Sequence, residues 1–425
     1  MRHLLRPCII GLICAAACGP NGDLTGAERS LLSQFSLGPL PLDPSNAKAD
    51  DPAAASLGQQ FFFDSRFSGP LALGDDGTNG ATGPRGAAAT VSCSSCHDPA
   101  HGGADARSRP SNTSLGSSWT GRNAPTVLNA AYSPWQFWDG RSDSLWSQAL
   151  GPVESPGEHN FSRLEVAHLI AAVYAAPFQE VFGALPDLSD AQRFPASGKP
   201  GNPSWDQMTA QDQSAVNRVF ADFGKAIEAY ERTLIDRDSP FDRYMAGDEG
   251  ALSAAAVRGA RLFVGRASCN ECHRGPNFTD DSFHNTGVPQ VGSAAIPAAD
   301  DGRMAGVSRL LASPFNSKGP YSDSPDAARL PTPALESARG AFKTPGLRGV
   351  LRTAPYMHTG GFATLRDVVV FYRDGGGASG FSGTKDVTMQ PLVLSDADVD
   401  DMVAFLGSLS GAPLPAALTI APRLP

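Results

Sequence analysis

The sequence predicts a mostly α-helical fold with long loops, arranged as two similar domains. Two observations lead to this prediction. An amphipathic helix pattern followed by C-x-x-C-H occurs twice, in "CSSCH" at residues 93–97 and in "CNECH" at residues 269–273. The alternation typical of strands is scarce, and 45 Gly and 35 Pro among 425 residues favour short helices joined by ordered loops.

Composition excludes some classes of protein. The formal net charge is -9 and the chain has no basic tract, so nucleic acid is not an expected partner. The length suits two or three domains that each bury a core. Three of the seven cysteines lie near the N-terminus and the other four form the two C-x-x-C-H motifs, which leaves none for a disulfide framework.

The N-terminus reads "MRHLLRPCIIGLICAAACGPNGD", with a positive start, a short apolar run and a patch of small residues. This pattern predicts a signal peptide over residues 1–18, too short to span a membrane. "AAAC" favours a lipoprotein site with Cys18 acylated, and ordinary cleavage after the A-x-A of residues 15–17 is the alternative. Both interpretations predict an exported, periplasmic protein, with a lipid anchor in the first.

The next segments lead to the first motif. Residues 19–51 are expected to form a tether with one short helix. "DPAAASLGQQFFFDSRFS" predicts a helix with Leu57, Phe61 and Phe62 on one face. A Gly-rich insertion, residues 69–91, then predicts a mobile loop before Cys93.

Two later stretches also predict amphipathic helices. "SAVNRVFADFGKAIEAYERTLI" predicts a long helix with a single apolar face, made of Val216, Val219, Phe223, Ile227 and Tyr230. "LSDADVDDMVAFLGSLSG" starts with a capping box, Ser395 and Asp398. Its apolar stripe comprises Val399, Met402, Val403, Leu406 and Leu409. We therefore expect domains at 52–240 and 241–411, followed by a tail at 412–425.

C-x-x-C-H is the attachment signature of c-type haem, in which two thioethers fix the porphyrin and the histidine binds iron. A zinc site would need four ligands at each motif, and a redox dithiol needs no histidine. The sequence therefore predicts two cytochrome c-like domains with one covalently bound c-type haem each. The cysteines are Cys93, Cys96, Cys269 and Cys272, and the iron ligands are His97 and His273.

A second axial ligand is missing for the first haem. His101 follows His97 by four residues and is expected to stay on the same side of the ring, and no methionine occurs between Met1 and Met208. We expect the first iron to be open to a small oxidant. Pure electron carriers close both axial positions.

Two stretches resemble the bacterial dihaem cytochrome c peroxidases and their MauG-type relatives. They are "GRNAPTVLNAAYSPWQFWDGRSDSLWSQALGPVESPGEH" and "FKTPGLRGVLRTAPYMHTGGFATLRDVVVFYRDGG". The resemblance runs from about residue 52 to 411. It implies that the N-terminal haem is the peroxide site and the C-terminal haem is the electron relay.

The resemblance also implies roles for individual residues. Trp138 matches the tryptophan between the two haems. Gln148 and Glu158 match the peroxide-pocket pair, in which a buried glutamate with a raised pKa moves a proton between the peroxide oxygens. Pro152 matches the position that faces the open iron.

Further matches concern a cation site and the haem surroundings. Asn123, Thr353 and Pro355 match a calcium site between the haems, with ligation by hard oxygen atoms. His358 is expected to form a hydrogen bond near the haem propionates. The remaining histidines His159, His168 and His284 are interpreted as surface or capping residues.

Two departures from the peroxidase branch indicate the subtype. Ser117 replaces the histidine that blocks the first iron in classical members. Tyr372, fourteen residues after His358, replaces the methionine that ligates their second haem, and MauG has tyrosine there. Alternative ligands remain at Met304, Met357 and Met389.

The sequence therefore predicts a peroxide-using dihaem enzyme of the MauG type that oxidises a partner protein at a distance. "SLWSQALGP" and the Gly-rich insertion most resemble the MbnH group, which modifies a tryptophan of a small copper-binding protein. One alternative is a cytochrome c peroxidase that takes electrons from a small cytochrome c or a cupredoxin. The other is a non-enzymatic electron carrier.

Overall fold

The computed structural model describes residues 24–110, 112–292 and 294–425. The predicted signal peptide and Cys18 lie outside these residues. The described chain is rich in helices and has a single two-stranded sheet, which confirms the predicted mostly α-helical class. The helices are α1 (Gly26–Ser33), α2 (Pro52–Phe63), α3 (Cys93–Cys96), α4 (Leu145–Glu154), α5 (Arg163–Val173), α6 (Ala175–Phe182), α7 (Pro203–Asp206), α8 (Ala210–Glu231), α9 (Pro240–Met245), α10 (Ala254–Val264), α11 (Arg303–Ala312), α12 (Leu365–Arg373), α13 (Asp396–Gly407) and α14 (Ala416–Thr419). The strands β1 (Phe283–His284) and β2 (Phe342–Lys343) pair antiparallel.

The helix predicted before the first motif is α2. Asp51 caps its N-terminus by accepting hydrogen bonds from two backbone N–H groups, and Pro52 occupies the first turn, where no N–H is needed. The predicted apolar face is buried, with Leu57, Phe61 and Phe62 each at most 2% exposed.

The long helix α8 packs across α2. It begins at Ala210, four residues before the predicted pattern, because the Thr209 side chain caps it. Its predicted apolar face is buried throughout. The two helices approach closely at Gly58, where a Cβ atom would lie 1.8 Å from the carbonyl oxygen of Ala226. Glycine at this position allows the crossing.

The second half repeats this arrangement with α10 and α13. A Cβ atom on Gly259 would lie 2.0 Å from the carbonyl oxygen of Asp401. The predicted capping box of Ser395 and Asp398 is present at the start of α13. Four residues of the predicted stripe are buried and Val403 is partly buried. Each C-x-x-C-H motif thus follows a helix that crosses a later helix at a glycine.

The buried apolar residues form two clusters. The first lies around α2, α4, α5 and α8, and the second around α10, α12 and α13. Some residues join the cluster of the other half: Phe315 and Tyr321 belong to the first, and Leu32 and Phe35 to the second. The two cores therefore follow the two halves of the sequence in outline, with chain segments exchanged between them.

Both ends of the described chain pack on these cores. The short helix expected in residues 19–51 is α1, and beyond it Phe35 stacks on Phe278 with ring centroids 4.5 Å apart. At the other end, Leu418 packs against the first cluster and the Gln59 side chain donates to the Ala417 carbonyl (2.7 Å). The segments predicted as a tether and a tail thus pack on the cores, because Phe35 is buried and Leu418 is partly buried.

Within the described residues, none of the helices is long and apolar enough to cross a membrane. Residues 69–91 contain neither helix nor strand, as predicted for the Gly-rich insertion.

Candidate functional site

The first C-x-x-C-H motif lies on one helical turn. α3 carries Cys93 and Cys96, and the His97 backbone N–H closes the turn on the Cys93 carbonyl (2.9 Å). His97 Nδ1 faces the Gly103 carbonyl at 3.4 Å, and burial lowers the pKa of His97. A neutral histidine that donates Nδ1–H to a carbonyl has its lone pair on Nε2, the form that binds a metal.

The second motif has the same local geometry. The His273 backbone N–H donates to the Cys269 carbonyl (2.9 Å), and His273 Nδ1 faces the Phe278 carbonyl at 2.9 Å. Burial lowers the pKa of His273 as well. Both motifs therefore present a neutral, oriented imidazole next to two cysteines, which fits a c-type haem at each.

A cavity of about 620 Å³ adjoins the first motif, a size typical of cofactor and ligand sites. His97, Gln148 and Glu158 line it, together with Trp138. A small adjacent cavity of about 30 Å³ adds Pro152 to the same group. Among the described residues, no methionine lines either cavity. His101 lies outside them, with its side chain 68% exposed and bonded to Asp98 at 2.6 Å.

Two adjoining cavities of about 160 and 210 Å³ lie at the second motif. His273 and Tyr372 line both of them. Of the alternative ligands, Met357 lines both cavities, Met389 lines the larger one, and Met304 lines neither. The structure thus brings Tyr372, Met357 and Met389 to the same site as His273.

The backbone around the two cavities repeats at an interval of 220 residues. Helix α4 begins at Leu145 and α12 at Leu365. Before each helix the chain forms the same bridged turn, from Gln136 to Ser142 and from Tyr356 to Phe362. Positive φ angles recur at the matching positions: Asn129 and Gly349, Phe137 and Met357, and Gly140 and Gly360.

This repeat aligns residues whose side chains differ between the halves. Pro152 on α4 occupies the position of Tyr372 on α12, and Trp138 occupies that of His358. Proline has no side-chain donor atom for a metal, whereas tyrosine has a phenol oxygen. The same place in the fold therefore carries a non-ligating residue at the first motif and an oxygen donor at the second.

Tyr372 is enclosed by the second site. Burial raises the pKa of its phenol. An ionised phenolate at this position would therefore need a compensating positive charge, which a bound iron ion would provide.

Trp138 lies at the junction of the two sites. It lines the first cavity and both second cavities. Its indole Nε1–H donates to the Asn123 carbonyl (2.8 Å), and its ring centroid is 6.3 Å from that of His358. The pair related by the repeat thus meets between the cavities.

Glu158 projects from the turn that follows α4. Burial raises the pKa of its carboxyl, which the positive charge of Arg141 and a hydrogen bond from Ser155 partly offset. The Glu158 backbone is held by Ser117, whose N–H donates to the Glu158 carbonyl (2.7 Å). A raised carboxyl pKa inside the first cavity is consistent with a role in acid–base chemistry.

The residues predicted to bind calcium lie together. The Asn123 side chain donates to the Pro355 carbonyl (2.7 Å), and both line the smaller second cavity with Thr353. Turning the Asn123 amide over would place its oxygen beside that carbonyl. The described residues contain no cluster of three or more His, Cys, Asp or Glu suited to a metal ion. Calcium here would therefore depend on neutral oxygen atoms and water.

His358 is buried beside the second site. Its Nε2 contacts the Gln290 side chain at 2.8 Å, and its ring stacks on Phe342 with centroids 3.6 Å apart. Burial lowers the pKa of His358 to about 3, so its imidazole is neutral. This placement is compatible with the predicted hydrogen bond near a haem.

One of the histidine interpretations is wrong, and a second histidine has a partner that the sequence did not indicate. His159 is 4% exposed, its Nδ1 faces the Phe67 carbonyl at 2.8 Å, and it lines the small cavity. His284 pairs with Asp386 at 2.7 Å beside the second site. Both contacts join residues about 90 or more positions apart, so no local pattern could indicate them.

Sequence reasoning also missed Glu231, at the end of α8. It is 3% exposed, lines both first-site cavities, and its Oε2 has no hydrogen-bond partner among the described residues. Burial raises its pKa to about 8. Glu231 lies four residues after Ile227 on the buried face of α8, so the helical periodicity could have shown that this glutamate points inward.

Two C-x-x-C-H motifs, each beside an internal cavity, fit a protein that carries two c-type haems. Comparison with known proteins identifies the protein family. The family model for di-haem cytochrome c peroxidase matches residues 52–250.

Two relatives match almost the whole chain. The cytochrome-c peroxidase IdrP1 of Denitromonas iodatirespirans is 33% identical over 428 residues, covering 96% of this chain and 93% of that protein. The methylamine utilization protein MauG of Methylorubrum extorquens is 30% identical over 414 residues, covering 97% and 93%. The chain belongs to the di-haem cytochrome c peroxidase/MauG family, and it is an oxidoreductase that acts on peroxide.

Solved structures agree with this assignment. A MauG-like protein associated with microbial copper homeostasis has a TM-score of 0.60 and 26% identity, covering 91% of this chain and 97% of that chain. The diheme peroxidase BthA of Burkholderia thailandensis also has a TM-score of 0.60 and 26% identity, covering 90% and 93%. Membership of a di-haem family implies two haems.

Proposed function

We propose that this enzyme consumes peroxide at the first site and oxidises a partner protein through the second. The observation that carries the proposal is the 220-residue repeat, which aligns Pro152 with Tyr372. Pro152 offers no ligand atom, so it would leave an iron held by His97 accessible to peroxide. Tyr372 offers an oxygen donor that could bind an iron held by His273 and close the second site.

The residues of the first site suit the proton movements of this reaction. A c-type haem attached to Cys93 and Cys96 supplies the redox chemistry that cleaves peroxide. Glu158 takes the proton from one peroxide oxygen and gives it to the other, which departs as water. The Gln148 amide, on the same cavity wall, orients the peroxide by hydrogen bonding.

Electrons reach the first site through Trp138, whose indole lies between the cavities and can be oxidised transiently. Tyr372 supports this use of the second site, because an anionic oxygen ligand lowers the reduction potential of iron relative to methionine. We infer that the substrate is a tryptophan of a partner protein, in the manner of MauG and MbnH. The structural similarity to a protein associated with copper homeostasis favours a small copper-binding partner.

The second candidate function is removal of hydrogen peroxide with electrons from a small cytochrome c or a cupredoxin. It is favoured by Met357 and Met389, which share the second site with Tyr372, and by the relatives named cytochrome-c peroxidase. A methionine ligand would raise the potential of the second haem and suit a relay that is kept reduced.

The wider organisation is part of the same proposal. It comprises cytochrome c-like domains at 52–240 and 241–411, each with one covalent haem, and a calcium ion held by Asn123, Thr353 and Pro355. His358 would contact the second haem. We also propose export to the periplasm and a lipid anchor at Cys18.

Visible and EPR spectra of the oxidised holoenzyme test the proposal. We expect a high-spin ferric signal from one haem and a low-spin His–Tyr signal from the other. Replacing Tyr372 by Phe should abolish the His–Tyr signal, whereas Met357→Leu should leave it unchanged. A charge-transfer band of methionine-ligated iron in the wild-type protein would contradict the Tyr372 assignment. Peroxide should react with the fully oxidised protein, and a requirement for prior reduction would favour the second candidate.

A further inference from the structure

The Gly-rich insertion, residues 69–91, folds back on itself and is called the anchoring loop below. Leu71 N–H donates to the Ala87 carbonyl (2.8 Å), and Gly86 N–H donates back to the Leu71 carbonyl (2.9 Å). Leu71 is only 2% exposed, so the loop also buries an apolar side chain. Arg85, next to Gly86 near the base of the loop, is exposed. The loop is thus closed at its base and fixed to the protein.

Ser117 is the main attachment point of this loop. Its hydroxyl accepts a hydrogen bond from Ala72 N–H (2.9 Å) and donates one to the Pro70 carbonyl (3.2 Å). Its own carbonyl accepts from Leu73 N–H (2.7 Å). Ser117 is completely buried, and removing its hydroxyl would take one hydrogen-bond partner from the Ala72 N–H and one from the Pro70 carbonyl.

The same serine holds the turn that carries Glu158. Ser117 N–H donates to the Glu158 carbonyl (2.7 Å), and Ser118 N–H donates to the Gly157 carbonyl (3.0 Å). A Cβ atom on Gly116 would lie 2.8 Å from Glu158 Cα, so the two segments are in direct backbone contact.

A second link joins the loop to the other side of Glu158. Gly69 N–H donates to the His159 carbonyl (2.9 Å), and the Asn160 side chain donates to the Pro70 carbonyl (2.9 Å). The anchoring loop is therefore linked to the turn on both sides of Glu158. The Pro70 carbonyl accepts hydrogen bonds from both the Ser117 hydroxyl and the Asn160 side chain.

We propose that Ser117 is a positioning residue that ties the anchoring loop to the Glu158 turn and so fixes the Glu158 carboxyl in the first cavity. This inference rests on the proposed role of Glu158. Glu158 still transfers the proton, and Ser117 acts only by fixing the position of the Glu158 carboxyl. The insertion is then a structural part of the peroxide site.

The test uses the haem-loaded full chain with Ser117→Ala, which removes the hydroxyl and keeps the backbone bonds. We expect the reaction with peroxide to slow by about 10- to 100-fold, since small misplacements of a catalytic group cost on this order. Trypsin should cleave faster after Arg85, because the loop loses two of its bonds. Haem content should match the wild-type protein. Ser408→Ala, which removes a buried serine hydroxyl in the second half, is the control.

The double variant Ser117→Ala/Glu158→Gln separates positioning from a general loss of stability. If Ser117 acts through Glu158, the double variant should react no more slowly than Glu158→Gln alone. The inference would be overturned if the double variant were slowed by the product of the two single-variant factors. It would also be overturned if Ser117→Ala reacted at the wild-type rate while Glu158→Gln reacted slowly. A wild-type rate in Glu158→Gln would overturn the proposed role of Glu158 and the inference with it.

Asn160→Gly provides a second variant in case Ser117→Ala folds poorly. Asn160 has a φ of 52°, so glycine retains the backbone while removing the side-chain bond to Pro70. The expected result is the same combination of slower reaction and faster cleavage after Arg85. Faster cleavage with an unchanged reaction rate would show that the loop does not position Glu158.

Discussion

At the scale of single residues, the two sites differ through a few side chains on a shared backbone. Pro152 and Tyr372 occupy matching places, yet one cannot bind a metal and the other can. Glu158 and Glu231 add two buried carboxyls to the first cavity, and the pKa of each is raised by burial. The first site thus carries carboxyls with raised pKa values, and the second carries an oxygen donor for a metal.

Replacing Glu158 by Gln should slow the reaction with peroxide by about 10²- to 10⁴-fold, the usual contribution of a positioned acid–base group. The amide keeps the shape of the side chain but cannot exchange a proton. Stopped-flow rates at neutral pH measure the effect. Glu180→Gln, an exposed change in the same half, should react like the wild-type protein. Equal rates in the two variants would show that Glu158 has no acid–base role in the reaction.

Glu231 should make the protein less stable as pH rises. Its pKa is about 8 in the folded chain and ordinary in the unfolded chain, so between about pH 5 and 8 the unfolded state binds fewer protons and gains stability. Glu231→Gln should flatten the decline of Tm over this range. The Tm values of both proteins from pH 5 to 8 provide the measurement. A parallel decline in the variant would contradict the buried, protonated carboxyl.

At the scale of helices, each half depends on a crossing at glycine. α2 meets α8 at Gly58, and α10 meets α13 at Gly259. In both, the helix leads to a C-x-x-C-H motif, so the crossing sets where the motif and its histidine lie. Close backbone approach requires a residue without a Cβ atom.

Gly58→Ala should therefore destabilise the protein by about 1–3 kcal/mol or more, the range for overpacking a close contact. The added carbon would overlap the Ala226 carbonyl, which belongs to the backbone and cannot rotate away. Gly26→Ala is the matched control, since a Cβ atom there has nothing within 4 Å. Thermal unfolding of the two variants should differ clearly. A similar Tm for both would mean that the α2–α8 crossing tolerates the change.

At the scale of the whole molecule, the two sites meet at Trp138. Its indole lines cavities on both sides and is hydrogen-bonded to the Asn123 carbonyl. The repeat brings its counterpart, His358, to the same junction. The contact between the two sites thus lies where the two halves meet.

Trp138→Phe should slow electron movement between the sites while leaving both haems attached. A barrier raised by about 1.4 kcal/mol corresponds to roughly tenfold in rate, which is the minimum we expect. Rapid-mixing spectra after peroxide addition follow the second haem separately from the first. Trp205→Phe, a buried tryptophan of the first core, controls for lost packing. If Trp138→Phe leaves the rate unchanged, electrons take another route.

Much of the fold was predictable because it is encoded locally. The apolar periodicity of residues 216–230 and the capping box at Ser395 each depend on neighbouring residues. The C-x-x-C-H motifs likewise carry their chemistry within five positions. The packing of α1 and α14 lies in segments that the sequence predicts as a tether and a tail. It cannot be predicted locally, because it depends on distant apolar partners.

The sequence by itself determined the two C-x-x-C-H motifs, the helical class and the residues of interest at the first site. The tertiary structure alone decided that Glu231 faces the first cavity, that Trp138 lines the three larger cavities, and that Ser117 links the Gly-rich insertion to the Glu158 turn. Ser117 bonds to Ala72, 45 positions away, and Asn160 bonds to Pro70, 90 positions away. Such contacts form only when the chain folds back on itself, so no local pattern of residues specifies them.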